Sequence, residues 1–202
     1  LAINVTKFFR NRETYAVLRE KVVVPLWERG GPVRVWSAGC ASGEEPYGIA
    51  LLFHEVAGPR ASAVKARVHI DATDLDPGAL DDTRQATYGA PAVEDLPRPV
   101  LERFFSPGPP YRLDPHVASC VHPALHDLTR QPPPRPPYDL IVCRNVVIYF
   151  DRPLQERLFS AFADALVPGG FLLLGKVETL FGAVRERLVF VDSRERLYRR
   201  PA

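Results

Sequence analysis

At 202 residues, 46% hydrophobic and 25% charged, the chain has the composition of one globular domain, with material for a sizeable core and a small inserted subdomain. A formal net charge of +2 is too near neutral to argue for a nucleic-acid groove, no apolar run approaches the roughly 20 residues that span a bilayer, and no signal-peptide pattern opens the sequence. The cysteines Cys40, Cys120 and Cys143 are far apart and lack metal-ligand spacing. Neither a disulfide framework nor a metal site is expected, and a reducing cytoplasm is the simplest setting.

Tyr15, Leu18, Val22 and Leu26 recur at helical spacing over residues 11–28, and Gly30, Gly31 and Pro32 end that pattern. Val33 to Trp36 reads as a short strand, Ser37 to Gly43 as a small-residue loop, and Glu44 to Val56 as a helix. A second strand, Arg67 to Ile70, runs into Asp71-Ala72-Thr73-Asp74, and Pro77 opens a helix to about Gln85. From Tyr88 to Pro123 periodicity weakens. This stretch is expected to be an inserted irregular or antiparallel piece with one short helix around Pro99 to Phe105. The prolines of Gln131 to Pro137 exclude helix and central strand and leave a stiff surface loop, or a ligand for a proline-binding partner. Tyr138 to Cys143 reads as a buried strand, Pro153 to Leu166 as an amphipathic helix closed by Val167 to Gly170, and Phe171 to Leu174 as another buried strand. Leu188 to Val191 and Arg196 to Tyr198 form a terminal hairpin. Strands alternating with helices imply an α/β fold with a doubly wound, mostly parallel sheet, to which the hairpin adds one antiparallel strand.

In such sheets ligands bind beyond the carboxyl ends of the strands. The first strand is followed by small residues around Gly39 and then Glu44 and Glu45. This is neither the G-x-G-x-x-G fingerprint nor a P-loop, and carboxylates suit an ammonium or sulfonium better than a pyrophosphate. A turn followed by carboxylates at a helix N-terminus explains the same residues without a ligand. Asp74 is placed to accept from ribose hydroxyls, unless Asp74 or Asp76 simply caps the helix before Pro77. After the later buried strand, Asn145 offers both a donor and an acceptor, and Tyr149 offers a hydroxyl on an aromatic body. The three strand ends together describe a pocket for a nucleoside joined to an amino acid.

At these residues the chain resembles the catalytic domain of CheR-type protein-glutamate methyltransferases over essentially its whole length. Asn4 to Arg10 is similar to the family's N-x-T-x-F-F-R segment, and Trp36 to Tyr47 to its W-S-A loop ending in G-E-E-P-Y. Thr73 to Asp76 resembles the acidic segment after the second strand. His126-Asp127-Leu128 sits at the usual Asn-Leu pair, and Cys143 to Phe150 is similar to C-R-N-V-x-I-Y-F. The resemblance implies a seven-stranded class I (Rossmann-like) methyltransferase sheet with a small inserted β-subdomain at 88–123. It implies S-adenosyl-L-methionine as methyl donor and S-adenosyl-L-homocysteine as product. The implied cofactor-site residues are Asn4, Thr6, Arg10, Gly39, Glu45, Asp74, Asp127, Leu128, Asn145 and Val146. Arg10 and Tyr149 would flank the methyl and the incoming carboxylate. The implied partner is the cytoplasmic domain of methyl-accepting chemoreceptors, for a cytoplasmic enzyme of chemotaxis-type signal adaptation that binds no nucleic acid and inserts in no membrane.

Three departures qualify the match. Lys176-Val177-Glu178 replaces the usual His-Ser-Glu, which removes a hydroxyl and an imidazole near the site's mouth. Asp127 in place of Asn adds a negative charge expected to favour the cationic donor. The family's N-terminal helical domain is expected to be missing, and a compact, proline-rich 106–125 suggests recognition without tethering of a receptor-tail pentapeptide. Two other readings stay open. One is a noncatalytic S-adenosylmethionine-binding regulatory module, and the other a small-molecule methyltransferase on the same scaffold.

Overall fold

The computed structural model describes residues 6–202, so Asn4 lies outside the described residues. Seven strands form one sheet in the order β5-β2-β1-β6-β7-β9-β8. They are β1 (Val33–Ala38), β2 (Val68–Asp74), β5 (Val121–Leu125), β6 (Tyr138–Cys143), β7 (Leu166–Leu174), β8 (Val189–Asp192) and β9 (Leu197–Arg199). The first five in spatial order are parallel, and β9 alone runs against its neighbours β7 and β8. A separate ladder pairs β3 (Thr87–Tyr88) with β4 (Tyr111–Arg112).

The central strands are buried on both faces, and their side chains feed two cores. Val33 and Val35 of β1 point into a core shared with the N-terminal helices and helix Glu44–Ala57. Trp36 and Ala38, of opposite parity, point into a second core with helix Arg152–Ala165. Trp36 stacks on Tyr138 at 5.7 Å between ring centres and meets Phe162 edge-on at 5.5 Å. This places the indole at the centre of that layer, where its Nε1 donates to Thr73 Oγ1 at 2.9 Å.

The helix expected over 11–28 spans 12–29 and carries a π turn at Arg19–Val23. Pro25 follows that turn and lacks the N–H that would bond four residues back, so the chain widens there instead of breaking. Two expectations are corrected. The piece placed outside the sheet at 88–123 ends inside it, because Val121–Leu125 pairs with β2 from Ile70↔Val121 to Asp74↔Leu125. Val167 to Gly170 does not close a helix; it belongs to β7, whose ladder with β6 begins at Tyr138↔Leu166 and resumes at Leu140↔Phe171 after a bulge.

On β5, Cys120 O accepts from Ile70 N and His126 N donates to Asp74 O. Even-numbered residues therefore turn their backbone groups toward β2. Pro123 falls on the outer row, the one place in a sheet where its missing donor costs no ladder bond.

Candidate active site

A cavity of about 430 Å³ opens at the carboxyl ends of β1, β2, β5 and β6. Its lining brings together Thr6, Arg10, Gly39, Glu45, Asp74, Asp127, Leu128, Asn145, Val146 and Tyr149, all the described residues singled out from the sequence. It also includes Glu44, named with Glu45 after the first strand, and Arg144, to which the sequence reading gave no role.

The N-terminal wall is set by two aromatic anchors. Phe8 is fully buried, edge-on to Tyr88 at 4.9 Å and to Phe105 at 5.3 Å, and Phe9 stacks on Tyr15 at 4.8 Å. Arg10 follows them with its side chain exposed at the cavity, while its carbonyl accepts from Arg144 Nη2 at 3.1 Å. Thr6 Oγ1 donates to Glu44 Oε1 at 3.1 Å, tying the same segment to the first turn of helix Glu44–Ala57.

The β1 end turns at Gly39, whose N–H, with that of Cys40, donates to Thr73 O at 2.8 and 2.9 Å. Gly39 has φ +79°, and a Cβ there would stand 2.4 Å from Val146 Cγ2. Only glycine lets the two strand ends approach this closely. Glu45 Oε1 accepts from Ser37 Oγ at 2.9 Å, and Oε2 lies 3.8 Å from Arg144 Nη1. Burial raises its carboxyl, opposed by the Arg144 guanidinium and the Ser37 hydroxyl.

Asp74 accepts Ala41 N on Oδ2 at 2.8 Å and Asp76 N on Oδ1 at 3.0 Å. Each oxygen retains a lone pair for a ligand. The helix cap open to Asp74 or Asp76 in the sequence belongs to Asp76, which accepts Gly78 N at 2.8 Å. Asp127 Oδ1 takes both Thr129 N at 2.8 Å and Thr129 Oγ1 at 2.6 Å, which hold its carboxyl below the usual range. Asn145 has φ +59°, so the chain turns sharply after β6, and Tyr149 reaches the rim 65% exposed.

Arg144 is 8% exposed, and its Nε has no hydrogen-bond partner among the described residues. Arg144 as a residue lines the cavity, so its guanidinium offers charged donors to an anionic ligand group such as a carboxylate. Carboxylates at Glu45, Asp74 and Asp127 suit hydroxyls and cations. The lining therefore fits an amino acid joined to a nucleoside through a positive centre. Arg144 could have been found from sequence, as a charged residue directly after a fully buried strand in a doubly wound sheet. Among the described residues no cluster of His, Cys, Asp and Glu could hold a metal, no helix could cross a membrane, and all three cysteines are free and buried.

The family model described as the CheR methyltransferase, SAM binding domain, matches residues 4–197. An uncharacterized 104.1 kDa protein from the hypE 3' region of Rhodobacter capsulatus is 37% identical over 202 residues, 98% of this chain but 21% of that protein. A chemotaxis protein methyltransferase of Listeria innocua serovar 6a is 36% identical over 184 residues, 89% of this chain and 67% of the relative. The chain thus spans about a fifth of the first relative and about two thirds of the second. The crystal structure of the N-methyltransferase NodS from Bradyrhizobium japonicum WM9 with S-adenosyl-L-homocysteine aligns with TM-score 0.51 at 17% identity, over 97% of this chain and 89% of that one. At that identity the likeness speaks for the fold, a class I methyltransferase sheet. The chain belongs to the CheR methyltransferase family and comprises its S-adenosylmethionine-binding domain.

Proposed function

We propose that this domain methylates glutamate side-chain carboxylates in the cytoplasmic domains of methyl-accepting chemoreceptors, forming methyl esters in chemotaxis-type adaptation within the cytoplasm. The observation that carries the reading is the shared lining. Arg10 and Tyr149 stand on the same cavity as the carboxylates and guanidinium suited to S-adenosylmethionine. When bound, that cofactor supplies a methyl group on a sulfonium, highly activated toward a nucleophile.

In this reading Asp74 accepts from ribose hydroxyls and the Arg144 guanidinium donates to the amino-acid carboxylate. Thr6, Gly39, Glu45, Asp127, Leu128, Asn145 and Val146 complete the walls, with Asn4 as the family segment implies. Arg10 orients the incoming glutamate through its planar fork, and the Tyr149 hydroxyl fixes one carboxylate oxygen. No general base is required, because a glutamate is already ionised at neutral pH. Catalysis then rests on alignment and on exclusion of water from the reacting pair. The two-residue strands β3 and β4 offer little edge to an added peptide strand, which favours recognition without a tethering pentapeptide.

The test is transfer of labelled methyl from S-adenosylmethionine to a receptor cytoplasmic fragment, read as base-labile ester. Wild type should label the fragment, and Tyr149→Phe should lower kcat about tenfold or more while leaving the dissociation constant of S-adenosylhomocysteine unchanged. Cofactor binding with no transfer to any receptor fragment would favour a regulatory module. Transfer to a free carboxylate metabolite instead would favour a small-molecule enzyme.

A further inference from the structure

Glu178 is 3% exposed, stands four residues past the end of β7, and has no cationic side chain within 4 Å among the described residues. A buried carboxylate without a cation is costly unless hydrogen bonds offset its lost hydration. Here the backbone supplies them. Glu178 Oε1 accepts Val146 N at 3.0 Å and Val147 N at 3.2 Å, and Oε2 accepts Gly175 N at 2.7 Å.

The position explains the pattern. β6 and β7 run side by side as far as Cys143↔Leu174, and there their ladder ends. Gly175 N follows β7 directly, Val146 N and Val147 N lie three and four residues past β6, and the Glu178 carboxylate takes all three together. Gly175 is part of the device: a Cβ there would lie 2.8 Å from Glu178 Oε2 and 3.0 Å from Asn145 N. Glu178 does not itself line the cavity, whereas Asn145 and Val146 do, and Val146 is the side chain packed against Gly39.

The structure assigns Glu178 the role of positioning residue for the cofactor site: its carboxylate clamps the backbone at Val146 and Val147 and so sets where Asn145 and Val146 stand on the cavity wall. This rests on the reading of the cavity as the S-adenosylmethionine site. The carboxylate touches no substrate; it acts through the loop.

Glu178→Gln is the decisive variant, because it puts an NH₂ against backbone donors in place of one accepting oxygen. Three readouts are taken together: the dissociation constant of S-adenosylhomocysteine by calorimetry, the urea midpoint, and amide exchange at Val146, Val147 and Gly175. The folded variant should bind S-adenosylhomocysteine at least about tenfold more weakly, with faster exchange at Val146 and Val147. Tyr138→Phe, which loses stability at the other end of β6, should keep wild-type affinity. Binding by Glu178→Gln within about twofold of wild type overturns the assignment, because a role in stability alone moves only the urea midpoint. If the variant does not fold, exchange in wild type decides. Common protection at the three amides supports the clamp, and unprotected rates overturn it. A folded wild type that binds no S-adenosylhomocysteine overturns the cofactor reading itself, a result distinct from either of these.

Discussion

Replacing Gly39 by alanine tests the closest approach in the site, and Gly31→Ala supplies its control. Both glycines have positive φ, +79° and +72°, but a Cβ at Gly31 meets nothing within 4 Å, whereas one at Gly39 would stand 2.4 Å from Val146 Cγ2. A positive φ costs an L-residue about 1–3 kcal/mol. The stiffer unfolded chain returns about 0.4–1 kcal/mol. Gly31→Ala should therefore lose at most about 2.6 kcal/mol. Gly39→Ala must in addition push Val146 aside, an overpacking cost of about 1–3 kcal/mol. At about 2–4 °C per kcal/mol for a chain of this size, its thermal midpoint should fall about 2–12 °C below that of Gly31→Ala. Because Gly39 and Val146 both line the cavity, calorimetry should also show weaker binding of S-adenosylhomocysteine by Gly39→Ala alone. Equal midpoints and equal affinities in the two variants would refute the close-contact account.

Tyr138→Phe removes the hydroxyl that donates to buried Asp71 Oδ2 at 2.8 Å and accepts from Arg135 N at 2.9 Å, so urea unfolding should show a loss of about 1–3 kcal/mol. Phe8→Ala empties a fully buried site between Tyr88 and Phe105 and should cost about 3–5 kcal/mol, with a larger loss of S-adenosylhomocysteine affinity than a core truncation of equal cost at Phe159. Glu45 and Glu178 both have carboxyls raised above the ordinary 4.5 by burial. Each holds its proton more tightly folded than unfolded, so its contribution to stability is fully present below about pH 4.5 and is lost as pH rises through the folded value. Glu45→Gln should flatten the fall in stability as pH rises above about 4.5, and an unchanged slope in thermal melts would count against it.

What the sequence made legible follows from where the chemistry sits. The central strands declare themselves as apolar runs, and their downstream residues are the pocket, so Gly39, Asp74, Asn145 and Tyr149 can be named before any coordinates. Strand β5 escaped because an edge strand need not be apolar: Val121-His122-Pro123-Ala124-Leu125 buries one residue fully, leaves three exposed, and contains a proline. Val167 to Gly170 carries the signature of a helix stop, yet a bulge lets the same residues open β7. Glu178 was noted only as part of a departure from the family pattern. Two of its three partners are main-chain amides of residues about 30 positions earlier, and backbone donors leave no mark in a side-chain alphabet.

The proline on the outer row of β5 also bears on how this domain behaves in a crowd. A flush outer strand offers a row of donors and acceptors on which another chain can grow, the first step of edge-to-edge aggregation. At Pro123 that row lacks a donor and carries a rigid ring, so a foreign strand cannot zip along it from end to end. Pro123→Val would restore the donor while adding a better strand former. The gain in local strand preference would come with a surface that recruits its own copies, and turbidity on concentration would report it.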